Sequence, residues 1–455
     1  MKLATLSRIK GPTTRSRRGA ASLIVVLVLF FLMSLVAAYT SRNLIFEQRT
    51  SVNQYRAMQA FEAAEAGLEW ALAQLNGGRI GPDCTEASAD ATSTSFRQRY
   101  LQVNSVSTSP TAGMVTALLQ PDGVTALRPT CVWTGATWQC VCPTNAAPTL
   151  NPPSGDAIHP AFRVKFTTYS VTSPGTVRID VTGCTRLTAA CLDSGPQTTD
   201  QEGRAQVRML VALKPSIPTV PLAAVTARGA VNIEGLLSAA GGDEGARALR
   251  FGVGAAVTGA GTLTLLPAGT PSAALVAPND TTLRPPAVPL PSPGADAIAI
   301  RNFGMVLGAT PATYKAQPGA IVVECPGAEC SAATLAAKVA ANPDRVIWIE
   351  GDLTLEAAAT VGSVANPATF IVTGDVDLVA GAQIVGFVYA RGSNFSGGGS
   401  VRGAVFFEGD LNVPLGASPS VSYDGSVLDL QWLRAGSYVR VPGSWRDFAH
   451  SAASP

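Results

Sequence analysis

Two histidines, His159 and His450, are all that this chain of 455 residues carries. So few imidazoles argue against metallohydrolases and Ser-His-Asp hydrolases, whose sites are built on them. Charge is scarce too: 14% of residues are Asp, Glu, Lys or Arg, and only 6% are aromatic. With 47% hydrophobic residues the chain is too apolar to remain disordered. Its 44 Gly and 32 Pro are too many turn formers for an all-helical protein. The length suggests about two to four structural units. The formal charge of +2 is unevenly placed. Lys2, Arg8, Lys10, Arg15, Arg17 and Arg18 precede Gly19 with no acid among them, and subtracting those six leaves −4 for the rest. A mildly acidic remainder is a poor partner for nucleic acid.

What is present is most telling near the N-terminus. Gly19–Ser41 holds no charge, and Leu23–Met33 forms its apolar centre. About 20 such residues cross a bilayer as a helix. The arginines before it keep the N-terminus cytoplasmic and export the rest. A cleaved signal peptide is the alternative. Against it, the apolar stretch is long, no turn follows it, and the helical pattern continues. From Arg42 to Asn76 there is no Pro and the only Gly is Gly67. Phe61, Leu68 and Leu75, with Leu72 beside them, predict an apolar seam, and Asn76-Gly77-Gly78 a C-terminal cap. The expectation is one helix of about 55 residues, half in the membrane. A coiled-coil signalling helix would share the seam but not the junction Arg17-Arg18-Gly19-Ala20.

That junction, Arg18-Gly19-Ala20-Ala21-Ser22-Leu23-Ile24-Val25-Val26, with Glu47-Gln48-Arg49 and Phe61-Glu62-Ala63-Ala64-Glu65-Ala66-Gly67-Leu68-Glu69, resembles type IV prepilins and the pseudopilins of type II secretion. The match is closest to PilX-type minor pilins and pilus assembly proteins. The resemblance implies that a prepilin peptidase cuts between Gly19 and Ala20 and that the new amine is N-methylated. Cleavage would strip the basic residues from the cytoplasmic end and let the helix leave the bilayer for a filament. Major pilins usually carry Glu as the fifth residue after the cut, where this chain has Ile24. Large GspK-type pseudopilins also lack it and are placed at the tip. Ile24 therefore hints at a tip or priming subunit, although PilX-like proteins also vary here.

Residues 81–150 are weakly patterned apart from Cys131-Val-Trp-Thr-Gly-Ala-Thr-Trp-Gln-Cys140. A turn at Gly135-Ala136 sets Trp133 opposite Trp138 and Cys131 opposite Cys140. Alternating runs at 162–169, 177–181 and 205–213 predict three antiparallel strands with one buried face. All eight cysteines lie beyond the membrane span, and an even number in an exported chain predicts disulfides. Proximity pairs Cys184 with Cys191 and Cys325 with Cys330. The hairpin pairs Cys131 with Cys140, and subtraction leaves Cys84 with Cys142. A zinc site at Cys140-x-Cys142 is the weaker alternative, and no metal or other cofactor is expected.

Lys214–Pro221 reads as a stiff linker into a second domain. There Val346–Leu355, Phe370–Leu378, Phe387–Phe395 and Val405–Val413 share one form, with Gly351, Gly374, Gly392 and Gly409 at steps of 23, 18 and 17. Short strands at such periods, joined by Gly corners, predict a β-solenoid. Val225–Ile233 and Gly261–Leu266 look like earlier rungs, 271–294 like a Pro-rich excursion, and Ser331–Ala341 like a short helix over or capping the stack. Asp352, Asp375 and Asp410 follow the repeated Gly. They invite a calcium or polysaccharide-cleaving reading. Turn chemistry explains them better, because no Trp or Tyr cluster flanks them and Ser393 breaks the row. The ending Val441–Phe448 resembles that of PilX-like proteins with such tails, and Trp445 and Phe448 are expected to pack on the last rungs.

The predicted organisation is a leader (1–19), a pilin-type helix (20–76), a disulfide-bonded β-rich domain (81–214) and a β-solenoid domain (222–455): α+β, then all-β. The expected function is non-enzymatic: a minor pilin that primes or caps a type IV pilus and displays its solenoid. It would sit in the inner membrane with a periplasmic C-terminal domain, then in the extracellular pilus. Its partners would be other pilins, the assembly platform and the prepilin peptidase. The alternatives are a membrane-tethered polysaccharide-binding or polysaccharide-cleaving β-helix protein and a type II secretion pseudopilin.

Overall fold

The computed structural model describes residues 18–447, apart from 146–149, 152, 155–157, 171–172, 193–201, 243–244, 284–294 and 328–329. The leader before Arg18, the Pro-rich core of the expected excursion and Phe448 lie outside the described residues. Contacts divide the chain into two units, Met1–Met58 and Gln59–Pro455.

In the first unit the helix Arg18–Leu75 carries its apolar run with the side chains exposed, from Leu23 to Tyr39. The span has a mean hydropathy of 2.7 and is long and apolar enough to cross a membrane. Hydroxyls within it fold back on the helix. Ser34 Oγ donates to Phe30 O at 2.8 Å, and Thr40 Oγ1 to Val36 O at 3.0 Å. An internal acceptor for each hydroxyl suits a segment that meets lipid.

In the second unit the rest of that helix packs on a six-stranded antiparallel sheet. Its strands, in spatial order, are Gly436–Arg440, Arg204–Pro215, Thr176–Cys184, Ala161–Thr168, Thr130–Trp133 and Trp138–Val141. The alternation holds: Phe162, Val164, Phe166, Ile179, Val181, Val207 and Met209 face Ala64, Leu68, Ala71 and Leu75. The seam is smaller than the sequence suggested. Ala60, Ala63, Ala64 and Ala71 are buried, whereas Phe61 is half-buried. Close approach is the reason. A Cβ at Gly183 would overlap the helix backbone at Ala60 and Ala64, and one at Gly67 would overlap Phe162. Asn76, not a left-handed glycine, closes the helix: its Nδ2 donates to Leu72 O at 3.1 Å and to Tyr438 O at 3.0 Å.

The region after Pro221 is a stack of parallel strands. Along one side, Ala320–Glu324, Val346–Glu350, Ala368–Val372, Gln383–Ala390, Ser400–Phe407, Ala223–Ala227, Arg247–Gly252 and Val276–Asp280 lie in that order. Ile347 lies opposite Phe370, Phe370 opposite Val388 and Val388 opposite Val405, which are offsets of 23, 18 and 17. Shorter parallel ladders form two more sides, one through Leu353–Leu355, Val376–Leu378 and Phe395–Gly397. Both strand faces are covered, which explains the near-continuous apolar runs. Ile347, Phe370, Val388, Val405 and Val225 share an interior cluster. Trp348, Ile371, Phe387 and Tyr389 meet Phe303, Leu307, Tyr314 and Leu428 from outlying helices. Helix Ala332–Ala341, capped by Ser331, sends Leu335 and Val339 into the interior cluster beside Val323.

Three expectations need correction. The rungs at 225–233 and 261–266 do not precede the repeat in space. They follow it, with Val405 opposite Val225 and Leu411 opposite Val231. Part of the expected 271–294 excursion is stack: Val276 and Ala277 pair with Leu249 and Arg250, whose open strand edge offers them backbone partners. Strand Gly436–Arg440 leaves the stack and pairs with Val211–Pro215, so the chain's last strand completes the antiparallel sheet.

Candidate functional site

Gly19 and Ala20 stand in the first turns of the long helix, directly before the span that is exposed along its length. Ile24 is 62% exposed, in line with its apolar neighbours. The described part of this segment offers an uncharged surface, and its chemistry is partition and packing.

The Gly-Asp corners form a ladder between coils. Asp352 Oδ1 accepts from Asp375 N at 2.8 Å. Asp375 Oδ1 accepts from Ser393 N at 2.8 Å and Asn394 N at 3.0 Å, and its Oδ2 accepts from Asn394 Nδ2 at 2.6 Å. Asp410 Oδ1 accepts from Ala230 N at 2.8 Å, which carries the ladder on to the 223–233 rung, earlier in sequence but next in the stack. Each carboxylate thus meets backbone donors of the next coil and acts as turn chemistry between coils. Among the described residues no group of three His, Cys, Asp or Glu is placed to hold a metal ion.

Four disulfides are formed: Cys84–Cys142, Cys131–Cys140, Cys184–Cys191 and Cys325–Cys330. Cys131 and Cys140 are opposite in the hairpin, as are Trp133 and Trp138, whose rings are 5.5 Å apart. Trp445 does not pack on the stack. Its ring meets Phe61 edge-on at 6.3 Å, and Arg446 bridges to Arg208 of the antiparallel sheet. The backbone after Arg440 runs on beside that sheet, which draws Trp445 away from the coils.

Sequence reading missed a buried polar junction. The short helix Phe96–Tyr100, set by a Ser95–Gln98 capping box, points Arg97 inward. Its guanidinium donates to Leu75 O at 2.9 Å, Gly436 O at 3.0 Å and Arg434 O at 3.3 Å, and lies 5.2 Å from the Tyr438 ring centre. Burial pulls the Arg97 guanidinium below its usual range, against the attraction of Asp344. The capping box, Ser95-x-x-Gln98, was the available signal. A second such group is Glu408, which accepts from Tyr389 Oη and Arg391 Nε, both at 3.1 Å. Burial pushes its carboxyl up, and Arg391 and Tyr389 pull it back.

A family model described as PilX N-terminal matches residues 18–69. No curated protein matches the chain. Among solved structures, the competence-associated pilin ComZ from Thermus thermophilus is similar at 12% identity. That alignment covers 86% of this chain and 97% of the other, with a TM-score of 0.21. The N-terminal segment of the chain is pilin-like; the family match ends at residue 69, before the described β structure begins.

Proposed function

We propose that this chain is a non-enzymatic minor pilin of the PilX type that primes assembly of a type IV pilus or caps its tip. One observation carries the reading. The PilX N-terminal match spans 18–69, and the same residues form one uninterrupted helix with an exposed apolar span. In this reading a prepilin peptidase cuts after Gly19, Ala20 becomes the methylated N-terminus, and the helix passes from the inner membrane into a filament of other pilins through the assembly platform. The parallel stack is a β-solenoid carried outside the cell. Its bulk, together with Ile24 in place of a carboxylate, supports an end position. A shaft subunit would need a partner for its neighbour's buried amine.

The test is biochemical. Sheared pili should contain the protein, beginning at Ala20, and Gly19→Val should leave an uncut form in the inner membrane. Gold label on a tag after Pro455 should mark one end of each pilus. A wild-type mature N-terminus near residue 40 would defeat the pilin reading, and uniform labelling would defeat the end position. Intact pili in a deletion strain, with loss of growth on a glycan, would favour a tethered polysaccharide-binding protein instead.

A further inference from the structure

Where the last strand returns to the antiparallel sheet, three segments far apart in sequence enclose a cleft of about 310 Å³. Gln102 and Ser105 line it from the segment after the short helix, Asp344 and Arg434 from the stack, and Tyr438 from the last strand. Arg97 lines it too, but its guanidinium is already spent on the carbonyls of Leu75, Asp344, Arg434 and Gly436.

The remaining polar groups are short of partners. Tyr438 is 2% exposed and Asp344 7%. Buried hydroxyls and carboxylates ordinarily have their hydrogen bonds filled. Among the described residues, the Tyr438 hydroxyl makes no hydrogen bond, and neither does the Gln102 amide nor Ser105 Oγ. The hydroxyl is not what holds Tyr438 in place: Asn76 Oδ1 accepts from Tyr438 N at 2.8 Å, and Asn76 Nδ2 donates to Tyr438 O at 3.0 Å. The Asp344 carboxylate has one described donor, Arg434 Nη2, 3.2 Å from Oδ1 and 3.3 Å from Oδ2. An ionised carboxylate has about four acceptor positions, so most of its capacity is open to the cleft.

We propose that this cleft binds a neutral sugar unit. Its occupant has to donate to Asp344, which ionised oxyanions cannot do, and to sit beside Arg97 and Arg434, which disfavours an ammonium. It also has to accept from the Tyr438 hydroxyl, the Gln102 amide or Ser105 Oγ. A hydroxyl both donates and accepts, and a ring with adjacent hydroxyls offers several at once. Leu101 and Val103 add an apolar side for the ring's C–H groups. The volume is at the small end for ligand clefts, which run from about 300 to 1,000 Å³. The proposal does not depend on where the protein sits in a filament.

The full chain, held in a polyoxyethylene detergent that carries no sugar headgroup, is titrated calorimetrically with neutral hexoses, N-acetylhexosamines and their disaccharides. Saturable binding of at least one of these at a single site is expected, unchanged as salt rises, because no net charge is recognised. Tyr438→Phe removes only the hydroxyl and should weaken binding by about tenfold with an unchanged melting temperature. Gln102→Ala, at an exposed position, should weaken it several-fold. Asp344 has a φ of 63°, left-handed backbone that Asn also tolerates, so Asp344→Asn should keep the turn and lose most of the binding. A disaccharide that binds more tightly than either of its units assigns a sugar chain, and equal affinity assigns a single unit. Absence of binding across the panel overturns the proposal. So does binding indifferent to both Tyr438→Phe and Gln102→Ala, or binding of an acetylated dipeptide amide with none of the sugars.

Discussion

Asp352 accepts a hydrogen bond from the amide of Asp375, one coil further on, and the residue just before that amide is Gly374, where a Cβ would overlap Asp352 Oδ1. The same relation links Asp375 to Gly392 and Asp410 to Gly229. The repeated Gly-Asp is therefore two requirements on neighbouring coils: Asp in one, Gly in the next. Where Ser393 replaces the Asp, the following Gly409 loses its constraint, and a Cβ there meets no described atom within 4 Å.

Gly374→Ala and Gly392→Ala should each cost about 1–3 kcal/mol, because the carboxylate or the coil must shift. Gly409→Ala should lie within about 0.5 kcal/mol of wild type. Urea midpoints of the three variants check this. Equal losses at Gly374 and Gly409 would show that the Asp contact is not what demands glycine.

Arg97 ties together carbonyls from the end of the long helix, from Arg434 and from the last strand of the sheet. Arg97→Ala would leave those carbonyls buried without their donor. A loss of about 3–5 kcal/mol is expected, as for breaking a buried charged network. Arg97→Lys should recover only part of it, since an ammonium cannot span the same fork. Chemical denaturation of both variants reads the difference, and full rescue by Lys would refute the geometric account.

The disulfides should rank by the loop they close. Cys84–Cys142 spans 58 residues and Cys184–Cys191 spans 7. Replacing both cysteines by Ala should cost about 4 kcal/mol for the first pair and about 2 for the second on the chain-entropy account. No cysteine occurs after Cys330, so reduction should loosen the antiparallel sheet while amides of 346–413 stay protected from hydrogen exchange. Early exchange in the stack on reduction would contradict this.

Acid should weaken the outer coils at one pair. A hydrogen bond from Arg250 holds the Asp280 carboxyl at about 2, below its ordinary 3.8. A depressed folded value gives stability that is present above the unfolded value and lost as pH falls through the folded one. The loss therefore falls between 3.8 and about 2. Glu408 has the opposite sign, since burial raises its carboxyl and protonation relieves the cost. Between pH 5 and pH 3 the urea midpoint should drop less in Asp280→Asn than in wild type. An equal drop would mean that the pair carries none of the acid response.

Some of this was legible because it is local. An uncharged run without Pro makes a helix whatever surrounds it, and a two-residue Gly-Ala turn sets Cys131 against Cys140 within ten residues. Alternation assigned Phe162 to the core and Arg163 to solvent, and the spacing of Gly351, Gly374, Gly392 and Gly409 reappears as the register of the stack. Other features needed the tertiary structure. Coils of one repeat present similar backbone edges, so their sequence does not say which will be neighbours. Only the folded chain sets Val405 beside Val225 and places 223–280 beyond 400–422 in space. Strand Gly436–Arg440 has no local sign that it will travel back to Val211–Pro215. Its partner is an open sheet edge made by residues more than 200 positions earlier, and backbone groups on an open edge favour whichever strand can reach them. Arg97 is the same case: a surface-type residue by composition, and buried only because three distant segments bring their carbonyls around it.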